Sequence, residues 1–448
     1  MEEKKAGHVF SAKAIAALMI PLLVEQILAV TVGLADQIMV SRAGEAAVSG
    51  VSLVDNINHL VRVVLSALAT GGAVVCSQYI GHRQPEAARE AAGQLLFAST
   101  GIALAFTCVM LIGGRGLLGF VFGRVESDVM SSAMTYFIFT VLGYPFLGIY
   151  NSCAAIYRSI GNSGISMRVS LMMNLINIAG NALFIFVLDM GVAGAAIATL
   201  ISRVIGSMTI LGLLHNKKNA IYVSSLHKLR PKMRVIKKIL SVGIPTGIEN
   251  GIFQLGKIVV LSLIAMFGTS SIMGNSVASS LCNYMIIPGT AISLGLVTIV
   301  GHCIGAGRVD EARRYTKILI GISIVSNVLV GVVTVLLRPV LLGLYDMSPQ
   351  SYEIASTLIL WHTITNPIWS LSFNTPNTLR AANDARFTMI VSMISMWLFR
   401  VGASYLLALA FDMGVYGVWL AMFLDWTVRS IIFIARFCGS KWYRRKLI

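Results

Sequence analysis

Long apolar runs, each of about 20 residues or more, recur along the 448-residue chain. That is the length a helix needs to cross the hydrocarbon core of a bilayer. Lipid offers the backbone no hydrogen bonds, so only helices and closed barrels can span it. A barrel would show alternating segments of about 10 residues, which are absent here. Twelve spanning helices are read at 13–40, 47–72, 90–113, 130–150, 164–187, 192–214, 236–267, 271–302, 312–337, 354–376, 386–411 and 415–438. Composition closes off the soluble alternatives. Hydrophobic residues make up 56% of the chain and charged residues 12%, against about 25% charged in soluble domains. Mean hydropathy is +0.80. A soluble enzyme, a coiled coil and a disordered scaffold are excluded.

The connection 215–235, HNKKNAIYVSSLHKLRPKMRV, is the one long polar stretch. It divides the chain into an N-terminal six-helix lobe (1–214), a basic cytoplasmic linker (215–235) and a C-terminal six-helix lobe (236–448). The formal charge is +16, yet no basic aromatic stripe marks a nucleic-acid surface. The charge is topological instead. With the N-terminus inside, 26 Lys and Arg fall on the inner side, among them Lys4, Lys5, Arg158, Arg380, Arg445 and Lys446. Only Arg42, Arg115, Arg124 and Arg338 fall outside. The positive-inside rule therefore puts both termini in the cytoplasm of a cell (plasma or inner) membrane protein. The six cysteines stand singly, so neither disulfides nor zinc are expected. The first apolar run is too long for a signal peptide and contains Glu25 and Asp36, so no cleaved signal is expected.

The two halves repeat each other. Ile20-Pro21, Glu25, Gly50 and Ile80-Gly81 recur as Ile244-Pro245, Glu249, Gly274 and Ile304-Gly305, all offset by 224. Pro145, Arg158 and Val169-Ser170 recur as Pro367, Arg380 and Val391-Ser392, offset by 222. Asp189-Met-Gly-Val recurs at Asp412, offset by 223. An even number of helices per repeat keeps both copies in one orientation. A parallel two-lobed bundle is expected, with a cavity between the lobes.

A charge at mid-membrane costs about 2.5–3.5 kcal/mol on insertion scales, so each one needs a purpose. Glu25, Asp36, Arg62, Arg203, Glu249, Lys257, Arg400, Asp425 and Arg429 lie within spans. Asp425 and Arg429 are spaced to neutralise each other on one helix. Glu25 and Asp36 fall within about 20° of one helical face, about 16 Å apart. Asn174, Asn177 and Asn181 make a polar face on the fifth helix. They suit either interhelical hydrogen bonds or, with a carboxylate, a Na⁺ or H⁺ site. Glu249 reads as half of a neutral network with Lys257 or Arg400, or as a carboxylate facing a cavity. No catalytic constellation and no nucleotide domain is present, which leaves a gradient-driven carrier rather than an enzyme or an ATP-driven pump.

The segments Pro21-Leu-Leu-Val-Glu-Gln, Ala35-Asp36-Gln-Ile-Met-Val40, Gln78-Tyr-Ile-Gly81, Asp189 to Thr199 and Gly417-Val-Trp-Leu-Ala-Met, in that order, resemble the multidrug and toxic compound extrusion (MATE) transporters. The resemblance covers nearly the whole chain. It implies efflux of organic, often cationic, compounds in exchange for Na⁺ or H⁺, with no cofactor beyond the coupling ion. It matches Asp36, Asn177 and Thr199 to the coupling-ion positions. Asn181 stands where some members carry a second Asp. In the second lobe Val260 replaces Asp36, so no mirrored ion site is expected. Glu25, Glu249, Lys257 and Arg400 remain as substrate or gating residues. The expected partners are small organic molecules and the lipid bilayer, with the chain acting as a monomer. A flippase for a lipid-linked intermediate is the second reading. It would need a basic cavity formed by Arg62, Arg203, Lys257 and Arg400 unpaired.

Overall fold

The computed structural model describes residues 8–41, 44–122, 126–223, 230–444 and 447–448. Lys4, Lys5, Arg42, Arg124, Arg445, Lys446 and part of the 215–235 connection lie outside the described residues.

The apolar runs become helices of the expected length. The first half contains α1 (Ala12–Ser41), α2 (Glu45–Gly81), α3 (Pro85–Phe122), α4 (Ser127–Leu142), α5 (Tyr144–Ser159), α6 (Ser163–Asn181) and α7 (Gly191–Leu214). After the polar connection come α8 (Met233–Ala265), α9 (Thr269–Met285), α10 (Ile287–Gly305), α11 (Val309–Leu336), the short α12 (Arg338–Gly343), α13 (Pro349–Ala381), α14 (Ala385–Ser395), the one-turn α15 (Ala403–Tyr405) and α16 (Gly414–Cys438). Wider π-helical turns at 182–187, 396–402 and 406–410 extend the ends of α6 and α14. Counted as rods, these make twelve passes in two bundles.

Ten of the described helices are long and apolar enough to cross a membrane, and the pair α4–α5, bent by 46°, makes an eleventh. The remaining rod, α13, is too polar for that test because it carries His362, Asn366, Asn374 and Asn377. The three asparagine amide nitrogens all donate inside the protein. Asn366 donates to the Asn327 carbonyl (3.2 Å) and Asn374 to Ser323 Oγ (2.7 Å). Asn327 in turn donates to Ser370 Oγ (3.1 Å). Elsewhere the outward faces are apolar, with Ile112, Leu336 and Val325 well exposed, as a lipid-facing surface requires.

The duplication extends to backbone conformation. Gly44 and Gly268 both have positive φ, as do Arg83 and Gly307, Gly161 and Asn383, and Asp189 and Asp412. Each pair lies 222 to 224 residues apart, the spacing already seen in the sequence. The same helix-to-helix turn has been kept in both copies, even where glycine has given way to Arg or Asn. The breaks have not been kept. In the first half the second rod, α2, is continuous and the fourth, α4–α5, is broken at Gly143 before Pro145. In the second half α9–α10 breaks at Ile286 before Pro288, while α13 runs unbroken through Pro367 and Pro376.

The chain forms two compact units, Ser11–Gly247 and Ile248–Ile448, the latter with residues 8–10. Their boundary falls inside α8, beyond the polar connection expected to divide the lobes. The reason is local packing. The first turns of α8 lie so close to α2 that a Cβ on Gly71 would sit 2.9 Å from the Gly243 nitrogen. Lys238 also donates to Tyr79 on α2 (2.9 Å). In the second unit, residues 8–10 are tied down by Glu311 and Tyr315. Val9 N–H donates to Glu311 Oε2 (2.8 Å), and Tyr315 OH donates to the Phe10 carbonyl (2.8 Å).

Gly50 and Gly274 show why the repeat keeps small residues. A Cβ on Gly50 would lie 2.7 Å from the Ala133 nitrogen on α4, and one on Gly274 would lie 2.7 Å from Ile354 on α13. Gly50→Ala should therefore destabilise by about 1–3 kcal/mol, since backbone cannot move aside. Gly101→Ala, which meets nothing within 4 Å, should leave stability unchanged or raise it. Melting temperatures of the two variants in detergent decide this, and equal values would refute the close-packing account.

Candidate functional site

Asp36 lies near the end of α1. The i, i+3, i+7 spacing of α6 turns Asn177 and Asn181 toward it, and α7 brings Thr199. Asn181 Nδ2 donates to Asp36 Oδ1 at 2.7 Å. Asn177 is buried between Asp36 and Thr199. One end of its amide lies 2.7 Å from Asp36 Oδ1 and the other 3.2 Å from Thr199 Oγ. Thr199 Oγ also lies 2.9 Å from the Ala195 carbonyl. The three residues matched from sequence thus form one cluster with Asn181, which stands where some members carry a second Asp.

Hydrogen counting gives this cluster two settings. With its nitrogen on Asp36, Asn177 donates to an ionised carboxylate and accepts from the Thr199 hydroxyl. With its oxygen on Asp36, the 2.7 Å contact requires a proton on the carboxyl. Thr199 then accepts from Asn177 and gives its only hydrogen to Ala195. Asn181 can donate to Asp36 in both settings.

Asp55 and Arg203 lie within electrostatic reach of Asp36. Asp55, on α2, accepts from Asn58 (3.2 Å), which accepts from Tyr144 OH (2.7 Å). Sequence reading missed Asp55, although a carboxylate inside the run 47–72 was the signal for it.

Glu25 is held apart from this cluster. It accepts from Ser166 Oγ (3.1 Å) and lies 4.0 Å from Arg158. Its repeat mate Glu249 has the same setting, drawn tighter: Arg380 at 2.7 Å, Ser392 at 2.6 Å and Thr388 at 3.3 Å. This corrects the sequence reading twice. The partner of Glu249 is Arg380, not Lys257 or Arg400, and Arg158 and Arg380 are not loop charges. Both arginines sit at helix ends with largely covered side chains. Their recurrence at one offset was the overlooked signal.

In the second unit, Lys257 on α8 and Arg400 beyond α14 lie on one aromatic ring. Lys257 Nζ is 5.3 Å and the Arg400 guanidinium 5.2 Å from the centroid of Phe253. Asp425 on α16 is fully buried and accepts from Ser395 (2.5 Å). It lies 3.9 Å from Arg429, the expected i,i+4 partner, and 4.0 Å from Arg400 as well. Among the described residues no group of His, Cys, Asp and Glu could hold a metal ion.

Two six-helix repeats with outward apolar faces, each burying charged and amide groups, define a polytopic membrane transporter. A family model described as MatE matches residues 21–183 and 245–406. The chain belongs to the MATE family of multidrug efflux transporters. It is 31% identical over 434 residues to the uncharacterized transporter YisQ of Bacillus subtilis (strain 168), covering 95% of this chain and 94% of that one. It is 26% identical to the probable multidrug resistance protein NorM of Thermotoga maritima, covering 97% and 94%. The solved outward-facing structure of a multidrug resistance MATE family transporter shares the fold with TM-score 0.89 at 21% identity, covering 95% and 96%.

Breaking one side of a buried ion pair costs about 3–5 kcal/mol. Glu249→Gln should therefore lower the melting temperature in detergent clearly more than Glu25→Gln, whose arginine is more distant. Efflux of a cationic and a neutral dye should fall together in Glu249→Gln. Selective loss of the cationic dye at unchanged stability would instead make Glu249 a substrate-binding carboxylate.

Proposed function

We propose that the protein is a secondary active antiporter that exports small organic compounds by alternating access, with Asp36 carrying the coupling ion. The observation that carries this reading is the Asp36 cluster with its two hydrogen-bond settings, one for the ionised and one for the protonated carboxyl. A proton is the coupling ion the cluster suits better. Asn181 turns its nitrogen toward Asp36, and its oxygen has no hydrogen-bond partner. A Na⁺ ion would need that oxygen facing inward. With Asn181 in place of a second acid, the cluster also holds one carboxylate and so takes up one proton.

The ionised carboxylate faces Arg203 when the proton has left, and the neutral acid can move through lipid-flanked protein at lower cost. Membership of a family whose named relatives include multidrug resistance proteins supports organic cargo over a lipid-linked intermediate.

Asp36→Asn should abolish gradient-driven dye efflux from proteoliposomes while leaving expression and melting temperature near wild type. A Na⁺ gradient imposed alone should drive nothing in wild type, and an imposed pH gradient should drive efflux. Asn177→Ala and Thr199→Val should displace the pH dependence of transport without abolishing it. Full transport by Asp36→Asn would sink the assignment. A Na⁺-driven wild type whose Na⁺ requirement rises in Asn177→Ala would replace the proton by Na⁺.

A further inference from the structure

The second unit forms an open-mouthed cavity of about 520 Å³ whose wall contains Lys257, Arg400 and His362 but no acidic residue. That volume is in the range that holds a drug-sized molecule. Lys257 is exposed to the open space and makes no ion pair or hydrogen bond among the described residues. Arg400 is 8% exposed, and its Nε has no hydrogen-bond acceptor. Its nearest carboxylate, Asp425, is 4.0 Å away and is shared with Arg429. Two cations therefore share one buried carboxylate, and with Lys257 all three gather on the ring of Phe253.

The other unsatisfied polar group on this wall with a fixed role is a donor too. Trp426 is 3% exposed, and its indole N–H has no partner. Indole N–H can only donate. His362 Nδ1 is also unpartnered. Around these groups the surface is aromatic. Trp369 stacks on Phe373 at 4.9 Å, and Phe373 meets Trp426 edge-on at 6.1 Å. Cations and unsatisfied donors against stacked rings call for a ligand with an anionic, acceptor-rich group joined to a planar apolar body. A cationic ligand would meet Lys257 and Arg400 with no compensating carboxylate on the wall.

We propose that this cavity is the cargo site and that it selects aromatic organic anions, such as carboxylates or sulfonates carried on fused rings. The anionic group sits between Lys257 Nζ and the Arg400 guanidinium, and the rings lie against Trp369, Phe373 and Trp426. This deepens the transport reading above and rests on it. It reverses the cationic preference that resemblance to the family implies. The same pairing of charge and rings gives specificity: a simple inorganic anion lacks the apolar body, and a neutral aromatic leaves Lys257 unpaired and Arg400 with only a shared carboxylate.

Fluorescein and rhodamine 123 share a xanthene core and differ in charge, so they isolate the electrostatic choice. Fluorescence anisotropy of each dye with the purified full chain in detergent should give fluorescein a Kd at least about tenfold lower. Lys257→Gln should weaken fluorescein at least about fivefold and leave rhodamine 123 unchanged or tighter. Because Lys257 has no partner to orphan, this variant should keep the wild-type melting temperature, whereas Arg400→Gln disturbs the Asp425 cluster. Equal or tighter binding of rhodamine 123, or fluorescein binding indifferent to Lys257→Gln, would overturn the proposal. Weak fluorescein binding alongside tight, Lys257-dependent binding of a polyprenyl pyrophosphate would also overturn it, in favour of a lipid cargo. Asp36→Asn separates the two readings. It should bind fluorescein like wild type and fail to transport it. Transport that survives Asp36→Asn would defeat the coupling assignment alone, and absent fluorescein binding with intact pH-driven rhodamine efflux would defeat the cargo assignment alone.

Discussion

Hydrocarbon cannot solvate a polar group, and every element of this structure answers to that constraint. It makes each spanning segment a helix. It also requires each buried side-chain polar group to find its partner within the protein. Asn327, Ser370, Asn374 and Ser323 satisfy one another inside the second unit, which lets α13 carry amides that an isolated spanning helix could not. Glu249 is tolerated because Arg380, Ser392 and Thr388 surround it. Among the buried groups left unsatisfied, three line the sites described above: Asn181 Oδ1 in the first unit, Arg400 Nε and Trp426 Nε1 in the second.

Duplication supplied the scaffold, and divergence supplied the chemistry. The two copies share turn geometry, close-packing glycines and a Glu–Arg pair joining corresponding helices. These are properties of the bundle. The chemical groups are not shared. Asp36 has Val260 as its mate, while Lys257, Arg400, Asp425 and all six tryptophans belong to the second half. One unit thus offers a carboxylate in an amide cage, the other a cationic aromatic pocket. On the proposed reading, the first environment serves the coupling ion and the second the organic cargo.

Helix positions and the duplication were legible in the sequence because they depend on quantities local to the chain: the length of apolar runs and the spacing of Gly, Pro and Asp. The Asp36 cluster was legible too, since Asn177 and Asn181 share a helical face and Asp36 is the acid that the family resemblance places beside them. The pairing of charges was not. Arg158 and Arg380 stand at helix ends beside polar connections, so charge counting assigned them to solvent, and only their contacts with Glu25 and Glu249 show otherwise. Likewise Asp425 and Arg429 read as a closed i,i+4 pair until the fold brought Arg400 to the same carboxylate.

By itself, then, the sequence determined an all-helical, membrane-spanning, internally repeated chain, because hydropathy and periodicity act through neighbours along the chain. Tertiary structure decided which cations are neutralised and which face open space. Residues 257, 400 and 426 are distant in sequence, and their convergence on one aromatic cavity follows from helix packing, which no local pattern encodes.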